Sequence, residues 1–211
     1  MGLVRIIDEV LPAALHRRLL RAVTALGDGG MTHGYQRTFW FPRDAEPCGV
    51  VEEAVVFLRE RLLGPGAGEE WWLSRMRTSN VPIDFHRDRD QARARAGQGD
   101  AHPTRSSVLM LNRCRGGLLA VSPSAPDLDE PACAPRARDF DLVEPRPNRL
   151  VSFDGTLTHG VLDARNHVPL QRLPKEPGLR LTIAVNTWAK PIFEPRSFRQ
   201  SRAYPALRKS G

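Results

Sequence analysis

The stretch Val81-Pro-Ile-Asp-Phe-His-Arg-Asp88 decides how this chain of 211 residues is interpreted. It alternates as a β-strand does, and residues two apart on a strand point to the same face. His86 and Asp88 are therefore expected to lie side by side at the end of a strand. His159 comes after a second apolar, strand-like run, Arg149–Phe153. Two imidazoles and one carboxylate, with further coordination positions left open, are the donor set of a non-haem Fe(II) site.

A later apolar run, Gly178–Trp188, is typical of a buried strand and carries Arg180 and Thr182 on one face. Arg180 stands between two leucines, where an unpaired charge would be costly, so it requires an anionic partner. An internal Asp or Glu is one candidate for that partner. A guanidinium also suits bidentate capture of a free carboxylate. The combination with a metal site favours a co-substrate whose carboxylate reaches Arg180.

The order of these motifs resembles that of the 2-oxoglutarate/Fe(II)-dependent oxygenases, closest to the prolyl-hydroxylase-like branch. The matching features are H-x-D at His86 and Asp88, His159 before Gly-Val, and Arg180-x-Thr182 on the last apolar strand. The resemblance implies that the first three residues bind Fe(II). It also implies that Arg180, helped by the Thr182 hydroxyl, binds the distal carboxylate of 2-oxoglutarate, with O2 as the second co-substrate.

The resemblance covers residues 70 to 188 and implies a double-stranded β-helix. This sequence departs from the family pattern in two places. The segment between His159 and Arg180 is longer than usual, with an insertion around Ala164–Pro177, and no tyrosine stands before the H-x-D in the position that many members use against the co-substrate.

The fold class we expect is mostly β with flanking α: a jelly-roll core with two N-terminal helices. Helical spacing of apolar residues predicts helices over Ile7–Gly27, after a short strand, and over Val50–Leu63. Downstream, short apolar runs separated by Gly, Pro and Asn predict eight strands. These strands are Trp71–Thr78, Val81–His86, Arg105–Leu111, Gly117–Val121, Asp139–Val143, Arg149–Phe153, Thr158–Leu162 and Leu179–Trp188.

The length predicts a single domain over residues 1–211, with helical support in 1–68, the β-helix core in 70–188 and a basic tail in 190–211. Phe193, Phe198 and Tyr204 suggest that the first part of this tail docks on the body. No apolar run approaches the length of a membrane helix, so we expect no membrane partner. Three scattered cysteines argue against a disulfide framework, and together with Fe(II) chemistry they favour a cytoplasmic protein.

Four further residues are candidate substrate contacts. Arg75 and Arg77 share a face of the strand before the H-x-D strand, where they point either into the mouth of the barrel or into solvent. Asn186 and Trp188 share the face of Arg180, if that strand is regular, and line either the floor of a pocket or the core.

The function expected is hydroxylation of an unactivated C–H bond. The substrate is an amino-acid side chain, free or within a peptide or protein, or a small natural-product intermediate. The formal charge of +7 keeps oxidative demethylation of alkylated nucleic acid as an alternative. That group carries a second arginine shortly after the one matching Arg180, which is absent here, so a nucleic-acid partner is not favoured. A β-barrel binding or scaffold protein with a degenerate metal site is the third alternative.

Overall fold

The computed structural model of the protein contains nine β-strands, three α-helices and two short helical turns among the residues it describes. The described residues are 2–27, 37–76, 85–114, 116–122, 140–162 and 180–208, without the side chains of residues 75 and 76. The elements are β1 (Val4–Ile7), α1 (Ala13–Ala25), β2 (Phe39–Pro42), α2 (Val50–Leu58), a π-helical turn (Arg59–Leu63), β3 (Gly68–Met76), α3 (Gln91–Arg95), β4 (Arg105–Met110), β5 (Leu119–Ser122), β6 (Asp141–Val143), β7 (Arg149–Asp154), β8 (Thr158–Val161), β9 (Arg180–Trp188) and a 3-10 turn (Pro205–Leu207).

Two antiparallel sheets form the core of a jelly roll. The major sheet has six strands in the order β1-β7-β4-β9-β3-β2, and the minor sheet has three in the order β6-β5-β8. Strand β9 lies in the middle of the major sheet, between β4 and β3, so it is buried along its whole length. The prediction of a mostly β fold with a jelly-roll core and two flanking N-terminal helices is confirmed.

The two faces of the major sheet have different partners, as the alternation along β9 requires. Leu181, Ile183 and Val185 belong to a core shared with the buried faces of helices α1 and α2. Strand β4 shows the other face, where Val108 and Met110 pack against apolar residues of the minor sheet. Side chains on this inner face are therefore held between the two sheets, which is where a barrel of this type can enclose a site.

The C-terminal segment packs on the body of the protein. Phe198 and Tyr204 are buried in the outer core, and the Phe198 ring lies 5.1 Å from that of Trp71 and 5.2 Å from that of Phe39. Leu207 is also fully buried. The docking expected of the first part of this segment therefore extends nearly to its end.

Several element boundaries differ from those predicted. Helix α1 begins at Ala13 rather than near Ile7. Pro12 has an extended backbone conformation and is the residue that immediately precedes the first helical residue. The predicted strand Val81–His86 lies mostly outside the described residues, and His86 itself forms an isolated bridge to His159. Strand β2 and helix α3 were not predicted, because four and five residues are too short for a clear periodic signal.

None of the helices in the described parts of the chain combines the length and the apolar character that crossing a membrane requires.

Candidate metal and co-substrate site

His86, Asp88 and His159 converge at one end of the inner space between the sheets. Backbone hydrogen bonds of 2.9 Å in both directions join His86 to His159, which brings the H-x-D segment beside strand β8. His86 Nε2 lies 3.5 Å from one oxygen of Asp88, and His159 Nε2 lies 3.5 Å from the other. One donor atom from each of the three residues lies within 4.8 Å of the other two.

The three side chains differ in their exposure. The imidazole of His86 is 43% exposed, whereas the side chains of Asp88 and His159 are 10% and 9% exposed. The cluster is thus closed on the side of the sheets and open on the side of His86. A group reaching the cluster from solvent would approach past that imidazole.

The electrostatics of the cluster favour the protonation states that bind metal ions. Burial opposes the charged form of Asp88, but the nearby His159 and His86 outweigh it, and the pKa of Asp88 lies well below its usual range. Burial lowers the pKa of His159 and so favours the neutral imidazole. An ionised carboxylate beside a neutral imidazole is ready to donate lone pairs.

A set of hydrogen bonds fixes the carboxylate of Asp88. The Ser106 hydroxyl donates to Asp88 Oδ2 at 2.9 Å. The side chain of Asn186 also hydrogen-bonds to Asp88 and helps to lower its pKa. Ser106 and Asn186 are directly opposite each other on β4 and β9. Such second partners fix the orientation of metal-binding side chains in known sites. The sequence had given no signal for Ser106, since its role depends on this cross-strand pairing.

The backbone around Asp88 is held in place as well. The ring of His102 hydrogen-bonds through Nδ1 to the Asp88 carbonyl oxygen at 2.7 Å. Asp90 accepts from the Arg93 N–H at the start of α3 at 2.9 Å and from the Phe193 N–H at 2.6 Å. The segment after the H-x-D is therefore tied both to α3 and to the C-terminal segment.

Arg180 lies on the inner face, 2% exposed, at the start of β9. Its Nε donates to the Gly117 carbonyl oxygen at 3.0 Å, and its Nη1 donates to the Thr182 hydroxyl at 3.2 Å. Burial lowers the pKa of Arg180 to about 10, so the side chain remains charged. Within the described part of the chain, no Asp or Glu forms an ion pair with it. The structure therefore brings Arg180 and Thr182 together on the inner face of β9, as the strand period predicted.

A cavity of about 640 Å³ opens at the cluster and is lined by His86 and Asp88. Strands β3 and β9 supply Glu70, Trp72 and Asn186 to its wall. Other lining residues come from α3, the loop before it and the C-terminal segment. The sequence pattern had not identified Glu70 and Trp72 as site residues, although they lie two residues apart on one face of a strand.

The remaining candidate residues have different outcomes. Asn186 lines the cavity, but Trp188 is buried and is not among the described lining residues. Arg75 lies in β3 opposite Leu181, and its side chain is not described. Arg77 and the insertion around Ala164–Pro177 lie outside the described residues.

No protein-family model matches the chain, and no curated protein matches it either. Among solved structures, HygX from Streptomyces hygroscopicus, with nickel and 2-oxoglutarate bound, is similar with a TM-score of 0.51 and 16% identity, over 88% of this chain and 82% of that one. AviO1 from Streptomyces viridochromogenes Tue57 is similar with a TM-score of 0.51 and 21% identity, over 92% and 93% of the two chains. A Pseudomonas putida prolyl-4-hydroxylase has a TM-score of 0.47 and 19% identity, over 90% of each chain.

At these identities the likeness to HygX and AviO1 shows a shared fold. It does not extend to the activity of either protein.

Proposed function

We propose that this protein is an Fe(II)- and 2-oxoglutarate-dependent oxygenase of the prolyl-hydroxylase-like branch. The observation that carries the proposal is the convergence of His86, Asp88 and His159, whose donor atoms lie within 4.8 Å of one another. A buried arginine with no acidic partner among the described residues, Arg180, lies on the same inner face of the jelly roll. Both features occur in a fold shared with HygX, whose structure holds nickel and 2-oxoglutarate.

The residues of the cluster fit a divalent iron ion. Two imidazoles and one carboxylate are the protein donors that leave coordination positions for other ligands. His86, Asp88 and His159 would hold the ion, while Ser106 and Asn186 would keep the carboxylate of Asp88 in one orientation. These two hydrogen bonds to Asp88 are already present in the structure.

Arg180 would anchor the distal carboxylate of 2-oxoglutarate. A buried guanidinium that keeps its charge favours an anion with good hydrogen-bonding geometry. Its Nε and Nη1 donate hydrogen bonds to Gly117 and Thr182, and these bonds fix the orientation of the guanidinium group. The Thr182 hydroxyl, which accepts from Arg180, could in turn donate its own proton to the same carboxylate.

When bound, Fe(II) supplies oxidation of an unactivated C–H bond, coupled to conversion of 2-oxoglutarate and O2 to succinate and CO2. The residues of this chain bind the reactants, orient them and restrict water. The cavity of about 640 Å³ is within the size range of small-molecule sites. It would receive an amino-acid side chain, free or within a peptide or protein, or a small natural-product intermediate. We propose that residues 1–211 act as one catalytic domain in the reducing cytoplasm.

Anaerobic titration of the Fe(II)-loaded protein with 2-oxoglutarate tests this proposal. We expect a weak, saturable charge-transfer band in the visible spectrum, which requires the metal and the 2-oxo acid to be bound together. Asp88→Ala should abolish the band by removing a ligand. Asp100→Ala is the matched control, since this carboxylate is exposed and pairs only with Arg89, at 3.3 Å, among the described residues.

The outcomes separate this proposal from two alternatives. Iron binding without the band would indicate an oxygenase that does not use 2-oxoglutarate. Absence of iron binding in the micromolar range would favour a non-catalytic scaffold and contradict the proposal. An equal loss of the band in Asp88→Ala and Asp100→Ala would contradict the ligand assignment.

A further inference from the structure

The wall of the cavity contains a carboxylate that the proposed chemistry does not use. Glu70 lies on the inner face of β3, directly opposite Asn186 on β9, and both residues line the cavity that opens at His86 and Asp88. The Thr38 hydroxyl is a hydrogen-bond partner of Glu70. The Trp188 side chain is a second hydrogen-bond partner of Glu70. A carboxylate has four lone-pair sites, so these two partners leave about half of its accepting capacity for a ligand.

The surroundings of Glu70 favour a positive partner. Burial above all, together with the charges of Asp88 and Asp90, raises the pKa of Glu70 to about 7. Both oxygens of Asp90 already accept backbone N–H groups. Glu70 is therefore a partly buried acid with no cationic partner among the described residues. A bound cation would offset the cost of its ionisation.

Trp72 adds an aromatic face to the same wall. It lies two residues after Glu70 on the same face of β3, lines the cavity and is partly exposed. Indole is the aromatic group that attracts cations most strongly. A carboxylate beside an indole is a pairing that suits ammonium or guanidinium groups better than neutral or anionic ones.

Asn186 provides an independent indication of a hydrogen-bond donor in the ligand. Its side chain hydrogen-bonds to Asp88, yet its Oδ1 is buried with no hydrogen-bond partner in the structure. The residue is 2% exposed and stands on the cavity wall. A buried acceptor without a donor is unfavourable, and an N–H group entering the cavity would relieve that cost.

Four arginines also line the cavity, and they come from other elements. Arg87 donates to the Thr158 hydroxyl, and Arg89 is paired with Asp100. Arg95 ends helix α3, and Arg196 belongs to the C-terminal segment. None of these four arginines belongs to strand β3 or β9. The part of the wall formed by Glu70, Trp72 and Asn186 therefore presents hydrogen-bond acceptors and an aromatic face.

We propose that Glu70, Trp72 and Asn186 form a subsite for a cationic nitrogen group of the substrate, either an ammonium or a guanidinium. This inference deepens the proposed function and rests on it, because the group is assigned to the substrate that the iron site oxidises. The proposal narrows the substrate class to molecules that carry a positively charged nitrogen group close enough to the oxidised carbon for both to lie in this cavity.

Calorimetric titration with three probes of equal chain length tests the subsite: pentylamine, pentylguanidine and 1-pentanol. The titrations use the full protein with and without Mn(II) and 2-oxoglutarate. We expect at least one of the charged probes to bind about tenfold more tightly than 1-pentanol, as a charge-assisted hydrogen bond with an aromatic contact would provide. The tighter of the two charged probes identifies the nitrogen group.

Substitutions show whether the preference comes from this wall. Glu70→Gln keeps the shape and removes the charge, so the preference for the charged probe should fall to about threefold or less. Glu194→Gln is the matched control, since Glu194 is another carboxylate that lines the cavity, and it should keep the preference. Trp72→Leu keeps an apolar contact and removes the aromatic face, so it should weaken the charged probes more than 1-pentanol.

Two results would overturn the subsite. One is the absence of any preference for a charged probe in the wild-type protein. The other is an equal preference in wild type and in a folded Glu70→Gln variant, with folding checked by thermal unfolding. Because the probes are also tested without metal, a failure of the iron assignment would leave the cation preference measurable, and the two proposals fail separately.

Discussion

Replacement of Gly117 by alanine should weaken the proposed binding of 2-oxoglutarate without touching any of the proposed metal ligands. Gly117 has φ +70°, and an added Cβ would lie 2.9 Å from Arg180 Cδ and 3.5 Å from Cys114 Sγ. Ordinary van der Waals contact begins at 3.4 Å, so the Cδ atom must withdraw from 2.9 Å by about 0.5 Å. That movement also disturbs the bond from Arg180 Nε to the Gly117 carbonyl oxygen.

The size of the effect follows from these two contributions. A left-handed backbone conformation costs a residue with a Cβ about 1–2 kcal/mol, which lowers the melting temperature by about 2–8 °C for a protein of this size. Misplacement of a binding group by about 1 Å can cost up to about 100-fold. A shift of half that distance leads us to expect an increase of about tenfold in the dissociation constant of 2-oxoglutarate.

The assay is the anaerobic titration of the Fe(II)-loaded protein, with the visible band as the signal. Gly97→Ala is the matched control, since Gly97 has φ +69° and an added Cβ would meet nothing within 4 Å. Both variants should lose similar stability, and only Gly117→Ala should lose affinity for 2-oxoglutarate. Equal affinity in the two variants would refute the assignment of Arg180 as the carboxylate anchor.

Three further predictions concern the support of the site and of the fold. Ser106→Ala removes the 2.9 Å hydrogen bond to Asp88 and should weaken Fe(II) or Mn(II) binding about 10–100-fold in a competition titration, and unchanged affinity would contradict its role. Burial raises the pKa of Glu70 to about 7 from its ordinary value of 4.5. Between pH 4.5 and pH 7 the folded metal-free protein therefore binds more protons than the unfolded chain, and its stability falls as the pH rises through this range. Glu70→Gln should therefore gain stability relative to wild type from pH 4.5 to pH 7 in urea unfolding, and a constant difference would exclude this linkage. Phe198→Ala empties a fully buried position beside Trp71 and should lower the free energy of unfolding by about 3–5 kcal/mol, whereas a loss under about 1 kcal/mol would show that the C-terminal segment is not part of the core.

The sequence predicted the donor cluster because a strand has a fixed period. Spacing of two residues in a strand-like run predicted that His86 and Asp88 lie side by side, although in the structure His86 forms only an isolated bridge and Asp88 lies in no strand. The same rule placed Arg180 and Thr182 together, and the structure joins them by a hydrogen bond of 3.2 Å. His159 could be named from its sequence context, but its distance from the H-x-D required the bridge between the two histidines.

The support of the cluster could not be predicted in the same way. Ser106 and Asn186 hold Asp88 because β4 and β9 are neighbours in register, although 80 residues separate the two positions in the chain. Glu70 reaches the cavity because β3 is the other neighbour of β9. Strand order in a sheet depends on which faces pack best across the whole molecule, and no local pattern encodes it.

The amino-acid sequence by itself therefore determined the class of fold and predicted the three proposed metal ligands and the buried arginine, since periodicity and residue chemistry are local properties. The tertiary structure alone decided what surrounds them: the hydrogen bonds to Asp88, the contact between Gly117 and Arg180, and the wall of Glu70, Trp72 and Asn186. These features arise where strands distant in sequence lie about 5 Å apart in a sheet, so their chemistry exists only once the chain has folded.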